Sequence, residues 1–567
     1  MKTGAQILIE SLKEEGADII FGYPGGSVLP IYDVLYDSGI KHILVRHEQA
    51  AVHAADGYAR ASGRTGVCLA TSGPGACNLV SGIATANMDS VPVVALTGQV
   101  PTGMLGNDAF QESDITGITM PVTKHNYLVN EAGSIRRVVK EAFFIAGTGR
   151  KGPVLIDLPK DVQTGLVDES EVLNEEINLR GYKPTYRGHP RQIKSAIKLI
   201  AEAKKPIIYA GGGVIASDSS ADLVKLAEML DLPVTTTMMG LGAIPAHHPL
   251  NLGMLGMHGT EAANYAVTEC DLLIAVGARF DDRVTGKIEE FAPGAKVIHI
   301  DVDPAEIGKN KAVDVPIVGD AGEVLREMIN LSETLDIKKK DPWLEKIENW
   351  RENHMMKYRD DEGLHPQYII EQLSGILEGK GIIVSEVGQN QMWAAQYYGF
   401  KSPRQWISSG GLGTMGYGFP AAIGAQFAKP DETVVLIAGD GSFQMNIQEL
   451  GTVSQYNVPV KMLILNNMYL GMVRQWQELF YERRYSYTEL PQVDFVGIAA
   501  AYGIPGLKVE KREDVGEALK KAMETKGPFL IDFRIEREEN VFPMVPAGAA
   551  ISDMIGCHIP EEKEAGR

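Results

Sequence analysis

The chain reads as an α/β protein of three doubly wound domains with mainly parallel sheets. Helix and strand patterns alternate along most of its 567 residues. The strand-like runs are short, β-branched and almost wholly apolar, as strands covered on both faces must be. Gly-rich turns mark the step from strand to helix. A chain of this length also exceeds what one hydrophobic core can fill.

Taken in order, residues 1–165 give helix 4–15, strand ADIIFGYP, helix 27–38, strand HILVR, helix 48–62, strand GVCLAT, and so on to strand PVLIDLP. The Pro/Gly/Tyr stretch 181–190 reads as a linker. A second block, 190–332, follows with helix 191–203, strand PIIYAGGG, helix 220–230 and strands PVTTT, DLLIAVG and AKVIHIDVD. Residues 337–363 are charged and helical, and are expected to form a solvated connecting helix. The third block spans 364–540, and the tail 541–567 is irregular. No sequence repeat is evident, although the first and third blocks share Gly-rich strand-to-helix turns.

Composition narrows the function. Hydrophobic residues make up 44% and charged residues 22%, ordinary for a globular protein in water. A net charge of −19 argues against nucleic acid or an anionic membrane as the main partner. No apolar run approaches the roughly 18 residues that a spanning helix needs. An amphipathic helix (Ala5, Ile7, Leu8, Leu12) begins at once, leaving no room for a signal peptide. Cys68, Cys77, Cys270 and Cys557 form no metal or redox spacing. Cys68 and Cys77 read as reduced, inert thiols of a cytoplasmic protein.

The most informative stretch runs from Thr433 to Asn467. Strand TVVLIAG stops at Gly439-Asp440-Gly441, a helical pattern opens with Ser442 as its N-cap, and strand VPVKMLIL ends on Asn466-Asn467. One carboxylate and one amide are thereby expected at the carboxyl ends of two parallel strands, beside a helix N-terminus that favours phosphate. Hard oxygen ligands next to a phosphate site suit Mg²⁺.

Other runs have two readings. Glu48, where strand HILVR gives way to a helix, either complements the helix dipole or serves chemistry. Gly25-Gly26 is a tight turn that also lets backbone approach a reacting centre. Thr71–Asn78 is a further Gly-rich turn. Asp108-Ala-Phe110-Gln111-Glu112 is a loop segment, where functional residues concentrate. Gly411-Leu-Gly413-Thr-Met415-Gly416 has the form of a dinucleotide fingerprint, but the acid at the expected distance, Asp431, precedes the next strand instead of ending it, which disfavours NAD. Met472, Gln475, Trp476, Leu479 and Phe480 fall at helical spacing and read either as a core stripe or as a wall over the preceding site.

Glycine-Asp-Gly, 24 residues, then Asn-Asn resembles the fingerprint of enzymes dependent on thiamine diphosphate. With Arg46-His-Glu-Gln49, Gly98-Gln-Val-Pro101, Asp108–Glu112 and Asp157-Leu-Pro-Lys160, the chain resembles acetohydroxyacid synthase catalytic subunits, over nearly its whole length. The resemblance implies Mg²⁺ on Asp440, Asn467 and the Tyr469 carbonyl. It implies thiamine diphosphate against Gly413, Met415, Gly439, Gly441, Ser442 and Met472, with Glu48 engaging the cofactor's pyrimidine. Gly26, Phe110, Gln111 and Lys160 become catalytic residues. FAD is implied at Gly211, Gly212, Gly213, Thr235, Met257, His258, Gly277, Arg279, Asp301 and Asp320. Met257, Arg283 and Trp476 are implied to line the route to substrate. The activity implied is decarboxylation of pyruvate and transfer of the fragment to a second 2-keto acid, with FAD structural. A FAD-dependent pyruvate oxidase, or another decarboxylase or carboligase dependent on the same cofactor, is the alternative. A homodimer or homotetramer with shared active sites, and a small regulatory subunit, are the implied partners.

Overall fold

Three six-stranded parallel sheets carry the computed structural model, which describes residues 1–172, 176–333 and 340–556. The first contains β1 (Ile19–Gly22), β2 (Lys41–Leu44), β3 (Gly66–Ala70), β4 (Val93–Gln99), β5 (His125–Leu128) and β6 (Val154–Pro159), in the order β2-β1-β3-β4-β6-β5. The second contains β7 (Pro206–Ala210), β8 (Val234–Thr236), β9 (Asn251–Met254), β10 (Leu272–Val276), β11 (Lys296–Asp301) and β12 (Val315–Val318), ordered β9-β8-β7-β10-β11-β12. The third contains β13 (Ile382–Ser385), β14 (Trp406–Ser408), β15 (Val434–Gly439), β16 (Lys461–Asn466), β17 (Gly506–Val509) and β18 (Phe529–Arg534), ordered β14-β13-β15-β16-β18-β17. The first and third sheets thus share one strand order. The middle sheet has the order of dinucleotide-binding folds, in which ligands sit where the order reverses.

The elements follow from local chemistry. Helix α1 (Gly4–Glu14) opens on a capping box, Thr3 accepting the Gln6 N–H and Gln6 accepting the Thr3 N–H. Helix α2 (Glu48–Ser62) is capped by His47 and ends at Gly63 in the left-handed region (φ 77°). The central strands β3, β4, β6, β10 and β13 are buried at every position.

Three expectations are corrected. Ser442 is not the cap of its helix: Gly439 occupies that position, the helix α8 runs Asp440–Gln444, and Ser442 lies buried inside it. The expected long helix breaks because Asn446 leaves helical geometry (φ −130°) to donate its amide to the Gly416 carbonyl, and helix resumes at Leu450. The connecting segment is helical only over Asp341–Asn353, and it is not fully solvated: Trp343 and Ile347 are buried in the core under the middle sheet. Its residues 334–339, and Cys557 in the tail, lie outside the described residues. Cys77 is exposed, unlike Cys68 and Cys270.

The first and third sheets are joined by α2 crossing helix α7 (Gly418–Ala428) at backbone contact. A Cβ at Gly424 would stand 1.8 Å from the Ala54 carbonyl oxygen, and one at Gly57 would stand 2.1 Å from that of Ala421. Only hydrogen fits there. Gly424→Ala should therefore destabilise the chain by about 1–3 kcal/mol or more, since it forces packed backbones apart. A melting temperature equal to that of the unaltered protein would contradict this account of the crossing.

Candidate active site

The carboxyl ends of β13, β15 and β16 converge. Burial at 3% exposure pushes the Asp440 carboxyl up to about 7, opposed by the N–H groups of residues 440 and 441. Asn467 is buried on the adjacent strand end, its amide donating to Gln389 Oε1 (3.2 Å) and its oxygen accepting the Tyr469 N–H (3.1 Å). Met468 takes a positive φ (59°), which turns the chain between the two. Asn466 is used differently, donating to Asp532 (2.9 Å). The turn Gly388-Gln389-Asn390 after β13 completes the cluster: Asn390 donates to the carbonyls of Glu386 and Ile437, and the Gly439 Cα faces Asn390 Oδ1. No motif marked that turn in the sequence. Among the described residues no group of three His, Cys, Asp or Glu could hold a metal. One carboxylate, one amide oxygen and one carbonyl form an incomplete hard-oxygen set, which fits Mg²⁺ shared with a diphosphate.

The loop 410–416 lies over this cluster. The Met415 methyl would be 3.9 Å from a Cβ placed on Gly441. Gly413 needs its positive φ of 69°. Glu386, fully buried, clamps the loop by accepting the N–H groups of Gly416 (2.8 Å) and Phe419 (2.9 Å).

Glu48 belongs to a second cluster at the carboxyl ends of β1, β2 and β3. Asn78 donates to Glu48 Oε2 (2.9 Å), and a Cβ on Gly75 would lie 3.2 Å from Glu48 Oε1. The Thr71–Asn78 turn is thus the cradle of Glu48, and Asn78 is a site residue that the motif reading missed. Gly25 packs on Thr71, whereas a Cβ on Gly26 would meet nothing within 4 Å. Gln111 (φ 60°) packs its backbone on Gly73. Phe110 is 89% exposed, and Lys160, first residue of a short helix after β6, is also exposed. Within one chain these residues face outward from the first sheet.

In the middle sheet Gly212, Gly213, Gly277, Arg279, Asp301 and Asp320 line one cleft, shared with Arg60, Asp89 and Arg404 from the other two domains. Gly211 closes its floor, with room for no Cβ beside the Gly277 carbonyl (2.2 Å). Burial pushes Asp301 up to about 6. The cleft sits between β7 and β10, where the strand order reverses, and so fits a dinucleotide. Thr235 and His258 fall outside it: the Thr235 hydroxyl donates to the Gly253 carbonyl, and His258 opens on another cleft and donates to Pro543. Thr237, at the end of β8, lines the cleft instead.

Arg283 and Trp476 line one pocket, with Met472 and Arg484. The stripe on helix α9 (Gly471–Phe480) is not core: Arg474 and Gln475 are its buried residues, and Val473 and Phe480 are exposed. The tail holds the two walls together. Gln475 exchanges hydrogen bonds with the Val541 backbone, and the Met257 N–H donates to the Arg283 carbonyl while its own carbonyl accepts the Val545 N–H.

Three models of the thiamine pyrophosphate enzymes match: the N-terminal TPP binding domain over residues 2–118, the central domain over 193–328 and the C-terminal TPP binding domain over 386–533. The chain is 54% identical to a probable acetolactate synthase large subunit of Methanocaldococcus jannaschii, over 97% of this chain and 95% of the relative. It is 52% identical to the acetolactate synthase large subunit of Corynebacterium glutamicum, over 97% and 90%. An acetolactate synthase of Arthrospira platensis is also 52% identical, over 98% of both chains.

The loop clamp has a pH signature. Burial pushes Glu386 from 4.5 up to about 7 against its backbone donors. The native state then keeps a proton that the unfolded chain releases above about pH 4.5, so this group's stabilisation is lost as pH rises through about 7. Glu386→Gln, which does not titrate, should lose less stability than the unaltered protein between about pH 5 and about pH 8. Thermal melts that shift in parallel across that range would contradict the buried-acid assignment.

Proposed function

The chain belongs to the thiamine pyrophosphate enzymes, among the acetolactate synthase large subunits, and from that premise we propose how its residues divide the work of joining two 2-keto acids. Pyruvate is the donor, and pyruvate or 2-ketobutyrate the acceptor, at the first common step of branched-chain amino acid synthesis. When bound, thiamine diphosphate supplies an acidic thiazolium carbon and the electron sink that decarboxylation requires. Asp440, Asn467 and the Tyr469 carbonyl would hold Mg²⁺, which would neutralise the diphosphate. Met415 and Gly413 shape the pyrimidine end of the site. Glu48, oriented by Asn78, would hold the pyrimidine end of the cofactor and serve as the acid–base group there.

One observation supports the choice of substrate above the others. Arg283, from the middle domain, and Trp476, from the third, face one pocket beside Met472. A guanidinium there can hold a carboxylate by two parallel hydrogen bonds, and the indole limits the size of the acceptor. FAD in the middle cleft is structural, because the condensation has no net redox step.

The assembly follows from the two clusters. Phe110, Lys160 and Gly26 are exposed on the first domain, and Gln111 and Glu48 are half-buried beside them. A second copy would bring its own Asp440 cluster to that face, which supports a homodimer or a pair of dimers. The relatives named as large subunits support a small regulatory partner. We place the protein in the cytoplasm; no helix of the described residues is long and apolar enough to cross a membrane.

The direct test supplies pyruvate, thiamine diphosphate, Mg²⁺ and FAD and measures acetolactate. Oxygen uptake with flavin reduction and no acetolactate would select the oxidase reading instead. Glu48→Gln should lower turnover by about 10²–10⁴-fold, the scale of a lost acid–base group, while thiamine diphosphate still binds. Near-normal turnover in that variant would remove Glu48 from the chemistry.

A further inference from the structure

Asp89 follows the helix Val80–Met88 in the first domain, and its side chain has no exposure to solvent. Its Oδ1 accepts the N–H of Gly411 (2.6 Å), and its Oδ2 accepts that of Gly410 (3.2 Å) and Arg60 Nη2 (2.8 Å). One carboxylate therefore ties the first domain to the start of the loop that carries Gly413 and Met415. Four residues beyond Gly410 the same loop is tied again, Thr414 and Thr85 sharing a hydroxyl hydrogen bond of 2.7 Å.

The backbone of the same residue lines the middle-domain cleft, together with Arg60, Met239 and Arg404. Met239 reaches the loop from the opposite side: a Cβ on Gly410 would lie 2.4 Å from its sulfur. Arg404 closes the junction, donating to the Arg60 carbonyl (3.0 Å) in the first domain and to Asp218 (2.7 Å) in the middle one. Arg60 is held in turn by Asp56 (2.7 Å), which accepts the Tyr417 hydroxyl just beyond the loop. All three domains meet at these side chains, and the loop 410–415 leaves from the junction.

We propose that Asp89 is a positioning residue that couples occupancy of the middle-domain cleft to the order of the 410–415 loop, so that FAD and thiamine diphosphate bind cooperatively. This rests on the reading that the cleft takes FAD and the loop shapes the thiamine site. A ligand in the cleft would pack against Met239 and the Asp89 backbone, and so narrow the positions of both anchors of the loop. The loop backbone fixed to both is ordered before the second cofactor arrives, and the second ligand then meets a smaller ordering cost. Linkage makes the effect reciprocal: each cofactor tightens the other by the same factor.

The experiment measures the dissociation constant of thiamine diphosphate with Mg²⁺ by calorimetry on the full chain, without FAD and with saturating FAD. In the unaltered protein FAD should tighten binding by about tenfold, within the usual range of coupling between sites. Asp89→Asn should bring that factor close to one. Gly411→Ala should do the same without changing any charge, because its Cβ would stand 2.8 Å from Asp89 Oδ1 and 3.1 Å from the Met88 carbonyl oxygen. It decides the matter where Asp89→Asn does not fold. Either variant retaining the full tenfold factor overturns the proposal. An unaltered protein that binds both cofactors independently also overturns it, and leaves the carboligase reading standing. A chain that binds no thiamine diphosphate overturns both.

Discussion

Everything at the two clusters depends on the backbone contact between α2 and α7. Glu48 is the first residue of α2, and α7 begins directly after the loop that carries Met415. Because Gly57 and Gly424 let the two backbones touch, no side chain separates the helices and little sliding is available. A second tie fixes the start of α2 against the third domain. Glu449 accepts the N–H of Arg46 (2.9 Å), and the Arg46 guanidinium donates to the Gly451 carbonyl (3.0 Å). Glu48 and the loop that carries Gly413 are thereby parts of one rigid body, although some 365 residues separate them along the chain.

Four buried carboxyls show how one physical cost is met in different ways. Burial raises Asp157, Glu386, Asp440 and Glu449, each to about 7. Asp157 is satisfied by Thr97 and Gln99, and Glu449 by Thr452 and the Arg46 backbone. Glu386 is satisfied by the loop it clamps. Asp440 is opposed mainly by the N–H groups of its own turn. A divalent cation beside Asp440 would favour its charged form, a partner that the other three acids do not need.

The sequence made the architecture legible because strands covered on both faces must be apolar throughout, and each sheet here is so covered. Helices 48–62 and 220–230 agree with the structure to the residue. What stayed hidden was whatever depends on contacts distant in sequence. The helix after Asp440 breaks because Asn446 finds the Gly416 carbonyl, a partner that no local propensity reveals. The stripe at Met472–Phe480 has the spacing of a core face, yet two polar residues, Arg474 and Gln475, take the interior because the tail offers them backbone partners. Thr235 reads as a cleft residue from its place at a strand end, but its hydroxyl is spent on the neighbouring Gly253 carbonyl, and Thr237, two residues on, reaches the cleft. In the sequence Asn78 reads only as part of a turn, because its partner Glu48 lies 30 residues away.

The strand orders explain why three sheets are needed for two kinds of ligand. The first and third sheets share an order, and each presents a cluster at the carboxyl ends of its strands: Glu48, after the edge strand β2, with Asn78 after β3 in one, and Asp440 with Asn467, after the central strands β15 and β16, in the other. Within a chain, α2 and α7 join these two sheets through their helical layers. The middle sheet, with its different order, offers its crevice toward the junction of the other two. Its ligand therefore need not touch the reacting atoms to matter for them. It needs only to occupy the place where Arg60, Asp89 and Arg404 meet, from which the loop over the Asp440 cluster departs.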